Sequence, residues 1–144
     1  MERKLYRISR TILTNDADCH DALQNALIKA WTRLSTLRNA DAFDAWIVQI
    51  LINECRQLAR GTRRHRHEAL TESIAAPSAS DGGVHDALFE LDEKYRLPIA
   101  LHYIEGYRIS EIAAMLKTPT GTVKSWLHYG RLKLKIRLQG EVEE

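Results

Sequence analysis

The sequence predicts an all-α fold of two small helical domains joined by a flexible linker. Three observations carry this expectation. Apolar residues recur at helical spacing in both halves. No stretch alternates apolar and polar residues for long enough to argue a strand. Between the halves, 61–83 holds an Arg/His run and then Pro77, Ser78, Ser80, Asp81, Gly82 and Gly83, with few large apolar residues, which is linker composition. The expected division is therefore a first domain over 1–60, a linker over 61–83 and a second domain over 84–139. In a chain of 144 residues each piece is near the lower limit for independent folding, so each core must be tight and helical.

In the first half, Leu5, Ile8 and Ile12 have helical spacing, and Thr14, Asn15 and Asp16 then offer turn and N-cap chemistry. Leu23, Ala26, Leu27, Ala30, Trp31 and Leu34 fall on one apolar stripe, with Asp21, Gln24, Asn25, Lys29 and Arg33 off it. Arg38, Asn39, Ala40 and Asp41 make a polar break, with Asp41 as the expected cap. Phe43, Trp46, Ile47, Ile50, Leu51 and Leu58 mark a third helix ending near Arg60. Trp31 and Trp46 lie on apolar stripes, so both are expected in the core.

In the second half, Val84 to Leu91 reads as a short helix. Asp92 is placed to cap another, with Tyr95, Ile99, Leu101 and Tyr103 as its apolar surface. Pro98 lies inside it, tolerable only near the first turn or at a kink, and Gly106 ends it. Ser110 is the expected cap of Glu111 to Leu116. Lys117, Thr118 and Pro119 form a turn, and Thr120 opens a last helix with Val123, Leu127, Leu132, Leu134 and Leu138 available to bury.

The formal net charge is only +2, but its distribution is uneven. Arg56, Arg60, Arg63, Arg64 and Arg66 crowd one stretch, and Lys124, Arg131, Lys133, Lys135 and Arg137 crowd another. Local basic patches attract phosphate backbones even when the total is balanced. Cys19 and Cys55 form no CxxC pair and no zinc spacing, which points to inert thiols in a reducing, cytoplasmic compartment. No apolar run has the length of a membrane span, so no membrane insertion is expected. His65, His67 and Glu68 crowd together without metalloprotease spacing, and no metal or cofactor is expected. No nucleophile–base arrangement or Gly-rich phosphate loop is discernible, so nothing supports an enzyme.

Ser110 to Leu116, a tight turn, and Thr120 to Tyr129 have the lengths of a helix-turn-helix. Ile112, Ala113 and Leu116 are apolar on one face, and Val123 and Leu127 are spaced to pack back onto them. That leaves Thr120, Thr122, Lys124, Ser125, His128 and Tyr129 facing outward, a set suited to a major groove. A plain helical hairpin with a solvated face has the same spacing.

The motifs narrow this choice. Gly106 to Ala113 and Gly121 to Ser125, with Leu127, His128 and Arg131, resemble region 4 of bacterial RNA polymerase sigma factors of the extracytoplasmic-function (ECF) type, and Ala87 to Arg96 resembles its lead-in helices. Asp18, Asp21, Gln24, Ala30 and Trp31, then Phe43, Trp46, Ile50 and Asn53, resemble region 2. The resemblance implies a factor that binds core RNA polymerase and directs it to specific promoters. Asp21, Gln24 and Asn25 match the surface that docks the β′ clamp helices. Arg38, Asn39, Ala40, Asp41 and Ala42 match the loop that captures a flipped minus-ten base; Asn53, Arg56 and Arg60 lie near that pocket. Lys124, Ser125 and His128 match groove-facing positions for the minus-thirty-five element; with the outward-facing Thr120, Thr122 and Tyr129, and with Arg131, they make the expected minus-thirty-five surface. The implied partners are core polymerase (β′ clamp helices and β flap), promoter DNA and an anti-sigma factor.

The sequence departs from the family at several positions. The family often has Glu where Asn25 stands, Phe at Leu27, and Arg at Trp126 and Tyr129. It also has residues ahead of the equivalent of Leu5. Two other readings compete: a stand-alone regulator that binds its operator unaided, and a helical adaptor that binds only protein.

Overall fold

The computed structural model describes residues 1–69 and 83–142, and among them no residue is in a strand. The chain divides into two compact units, Met1–Ala75 and Ala76–Glu144.

The first unit is a three-helix assembly: α1 (Glu2–Ile12), α2 (Asp16–Arg33) and α3 (Phe43–Ala69), each packed on the other two. Leu5, Ile8 and Ile12 of α1 are buried at the expected spacing. Asn15 caps α2, its side chain accepting from the Asp18 backbone N–H at 2.7 Å. The Tyr6 hydroxyl donates to Asp16 and holds that carboxyl below its usual range.

The α2 stripe differs from expectation. The buried line is Cys19, Ala22, Ala26 and Ala30, while Leu27, Trp31 and Leu34 are exposed. Small side chains let α2 lie close against α1 and α3, and the large ones turn outward. Burial also pushes the Cys19 thiol up, which leaves it a poor nucleophile. After α2 come two 3₁₀ turns, Leu34–Thr36 and Ala40–Ala42. Asn39 rather than Asp41 caps the second, accepting from the Asp41 N–H at 3.0 Å. Helix α3 runs to Ala69, past the end expected near Arg60. Gly61 costs a helix only about 1 kcal/mol, and the Arg and His residues after it are tolerated there. Of the expected linker, 70–82 lie outside the described residues.

The second unit holds α4 (Gly83–Glu90), α5 (Glu93–Ile99), α6 (Ile109–Leu116) and α7 (Thr120–Val142). Asp92 precedes α5 but makes no side-chain cap; its carbonyl accepts from Tyr95 and Arg96. Arg96 locks the α4–α5 corner, donating to the carbonyls of Phe89 (3.1 Å) and Leu91 (3.0 Å). Pro98 is buried in α5, and the chain widens into a π turn over Ala100–Ile104. Gly106 then breaks the helix with φ +82°, a conformation glycine adopts without strain.

Helix α7 crosses α5 closely because Gly130 has no side chain. A Cβ there would lie 2.5 Å from Ile99 Cδ1 and 3.3 Å from Tyr95 Cβ. Gly130→Ala should therefore destabilise the second unit by about 1 kcal/mol net. Overpacking outweighs the helix-propensity gain from removing a mid-helix glycine. Gly121, with nothing within 4 Å, is the control: Gly121→Ala should be neutral or stabilising. Urea unfolding of both variants checks this, and a more stable Gly130→Ala protein contradicts it.

Candidate polymerase and nucleic-acid interfaces

Asp21, Gln24 and Asn25 are exposed on α2. Helical spacing sets Ile28 one turn from Gln24 and Asn25, and Trp31 one turn from Leu27. Leu27, Ile28, Trp31 and Leu34 are all exposed, Trp31 by 78%. The face is thus an apolar centre beside polar groups, the anatomy of a protein–protein interface. Sequence reading placed Trp31 in the core; its signal for a surface role was the second line of small residues behind it.

Lys29 was expected only to lie off the apolar stripe of α2. Its ammonium pairs with Oε1 of Glu54, a carboxylate that α3 buries to 4% exposure. That oxygen has no hydrogen bond beyond the ion pair among the described residues. The pair ties α2 to α3 behind the exposed face.

Arg38, Asn39, Ala40, Asp41 and Ala42 are all exposed between the end of α2 and the start of α3. The Asn39 side chain is occupied in holding the turn, so it shapes the loop. On α3, Asn53 and Arg60 are exposed and Arg56 is half-buried. They recur at i, i+3 and i+7, hence on one side of the helix. Trp46 lies two turns before Asn53 on that same side, half-buried rather than in the core, its ring 5.9 Å from Phe43. An aromatic beside exposed amide and guanidinium groups can stack an unpaired base.

In the second unit Ile112, Ala113, Leu116, Val123 and Leu127 are buried and clamp α6 on α7. The start of α6 is set by Glu111, which accepts from the Arg108 backbone N–H at 3.0 Å, in place of the expected Ser110 cap. The turn closes with Thr118 N–H on the Ala113 carbonyl (2.9 Å) and Lys117 N–H on that of Ala114 (3.3 Å). Lys117 takes the left-handed conformation at φ 52°. This fixes how α7 leaves α6.

Thr120, Lys124, Ser125, His128, Tyr129 and Arg131 are exposed on α7, and Thr122 is half-buried. Thr120, Lys124, His128, Arg131 and Lys135 recur along one line of the helix, with Ser125 and Tyr129 on the next. Leu132, expected to be buried, is exposed on that second line with Ile136. Trp126 is half-buried. The resulting surface is a hydroxyl-bearing, cationic helix face ahead of an apolar shoulder.

Among the described residues no group of three His, Cys, Asp or Glu is placed to hold a metal. The side chains of His65, His67 and Glu68 lie outside that description. No described helix is long and apolar enough to cross a membrane.

Two family models match the chain: Sigma-70 region 2 over residues 1–65 and Sigma-70, region 4 over residues 82–134. RNA polymerase sigma factor SigV of Bacillus subtilis is 26% identical, covering 97% of this chain and 87% of that protein. Among solved structures, the sigma factor RpoE of Bartonella quintana, in complex with the anti-sigma factor NepR, matches with a TM-score of 0.79 and 25% identity over 94% of this chain and 89% of that one. CnrH in complex with the cytosolic domain of CnrY matches with a TM-score of 0.73 and 27% identity, over 96% of this chain and 82% of that one. Region 2 followed by region 4, on two helical units, places the chain in the sigma-70 family of RNA polymerase sigma factors, in its ECF group.

Proposed function

We propose that this chain binds core RNA polymerase through its first unit and carries it to promoters read by both units. The observation that supports this reading best is the pairing of two exposed surfaces of different chemistry. One is the apolar and polar α2 face; the other is the cationic α7 face. The first suits a protein partner, the β′ clamp helices, through Asp21, Gln24 and Asn25 with Leu27, Ile28 and Trp31. The second suits duplex minus-thirty-five DNA, with the β flap as the polymerase element that the second unit meets.

Residues 38–42, Asn53, Arg56 and Arg60 are read as the minus-ten surface. A pocket for an extruded base traps the open strand and so drives melting. The segment 61–83 is read as the connection between region 2 (1–60) and region 4 (84–139). The chain works in the cytoplasm as a non-catalytic initiation subunit, without cofactor. The two solved relatives are bound to NepR, an anti-sigma factor, and to the cytosolic domain of CnrY, which supports an anti-sigma factor as a further partner.

Ser125 and His128 lie on one side of α7 and reach neighbouring bases, whereas Arg131 and Lys135 are placed for backbone. Ser125→Ala and His128→Ala should each alter promoter preference, by about 1–3 kcal/mol at one base position. Arg131→Ala and Lys135→Ala should weaken all promoters alike and lower the salt slope by about one unit each. Promoter selection by each holoenzyme at several salt concentrations is the check; the reverse pattern overturns the division of roles.

The function is tested by promoter binding with and without core polymerase. Sequence-specific binding that requires core polymerase is expected. Tight, specific binding by the chain alone would make it a stand-alone regulator. No salt-dependent contribution to DNA binding in the polymerase complex would make it a protein adaptor.

A further inference from the structure

Arg131 is not a free cation. Its Nη1 donates to the hydroxyl of Tyr103 at 2.6 Å, across 28 residues of sequence, and both side chains are exposed. Tyr103 is itself held. The His102 ring meets it edge-on at 4.9 Å, and His102 Nδ1 lies 2.8 Å from the Tyr107 carbonyl, beyond the Gly106 turn. The π turn over Ala100–Ile104 is what carries Tyr103 outward while Ala100 and Leu101 stay buried. Such single wide turns concentrate at functional sites.

The chemistry of the partner matters. No carboxylate among the described residues pairs with Arg131. Arg137, further along α7, is paired with Glu90 and so has its charge offset. A carboxylate against Arg131 would orient it and cancel its charge. A tyrosine hydroxyl orients it and leaves the charge intact. It accepts one of the five guanidinium N–H bonds and keeps its own O–H to donate. Arg131 also stands on the same line of α7 as Lys124, His128 and Lys135.

We propose that Tyr103 and Arg131 form a clamp on a single backbone phosphate of the minus-thirty-five duplex, with Tyr103 as the positioning residue. The guanidinium supplies the charge and the N–H donors, and the tyrosine hydroxyl, by accepting one of those N–H bonds, fixes where the others point. The clamp rests on the promoter-binding reading of α7 and adds a residue outside the helix-turn-helix. It fixes register on the DNA and is indifferent to base sequence.

The test uses holoenzyme assembled from core polymerase and the full chain. Tyr103→Phe keeps the ring and removes only the hydroxyl. It should weaken binding of minus-thirty-five DNA about tenfold for every sequence, a typical loss for a hydrogen bond involving a charged group. The thermal midpoint of the isolated chain should not change. Arg131→Ala should weaken binding further, and Tyr103→Phe in that background should cost nothing more. Neutral methylphosphonates placed one at a time along the duplex should reveal one position that matters to the wild type and not to the double variant. Wild-type binding by Tyr103→Phe, or a loss that multiplies with that of Arg131→Ala, overturns the clamp and leaves promoter binding standing. A wild-type holoenzyme that ignores minus-thirty-five DNA altogether overturns the promoter reading, and the clamp falls with it.

Discussion

Core polymerase should bind the Trp31→Ala protein about thirtyfold less tightly than the unaltered chain, with no change in thermal unfolding. Trp31 is 78% exposed and leaves the first unit's core intact when it is truncated. Its neighbours on α2 are Leu27 and Ile28 on the apolar side and Gln24 on the polar side, so a partner covering them desolvates the indole completely. Tryptophans in that position dominate interface energetics, and about 2 kcal/mol is the usual threshold of such a residue. Asp21→Ala and Gln24→Ala, at the polar edge, should cost less individually. Equal loss of stability and affinity in Trp31→Ala would show that the indole supports the fold instead. Unchanged affinity would remove the α2 face from the polymerase interface.

Lys29→Met should destabilise the first unit by about 3 kcal/mol, on the order of 15 °C in melting temperature for a unit of this size. The cause is the carboxylate left behind. Glu54 is almost wholly buried in α3, and Lys29 is the partner that offsets its charge. Methionine keeps the length and apolar stem of lysine, so packing loss is small and the uncompensated charge dominates. Because Lys29 is itself part-exposed, water enters the site in the variant, which keeps the effect at the lower end for a broken buried pair. Adding Glu54→Gln should recover most of the loss, since a neutral amide is far cheaper to bury than a carboxylate. If the second change recovers nothing, the lysine acts through packing and not through charge.

Much of this was legible in sequence because helical periodicity and turn chemistry are local. Leu5, Ile8 and Ile12, or Ile112, Val123 and Leu127, read as buried and are buried. The places where reading and structure part have specific causes. On α2 two apolar lines run side by side with the same period, one of large residues and one of Cys19, Ala22, Ala26 and Ala30. Periodicity cannot say which faces inward; close packing against α1 and α3 selects the small one. At the end of α3 the Arg- and His-rich run reads as linker, yet nothing in it breaks a helix before Ala69. The Lys29–Glu54 and Arg131–Tyr103 pairs join residues far apart in sequence, and no local rule brings such partners together. The candidate surfaces on α2, α3 and α7 were marked chiefly by the family motifs, because exposed polar residues have no periodic signature of their own.

Core RNA polymerase is expected to initiate at chosen promoters because of this chain, and run-off transcription over a promoter library, with and without the chain, measures this. Discrete transcripts should appear only when the chain is present, from templates sharing a minus-thirty-five and a minus-ten element. Their identity should shift with Ser125→Ala or His128→Ala. Transcription that is the same with and without the chain, from a core polymerase shown to bind it, would contradict this expectation.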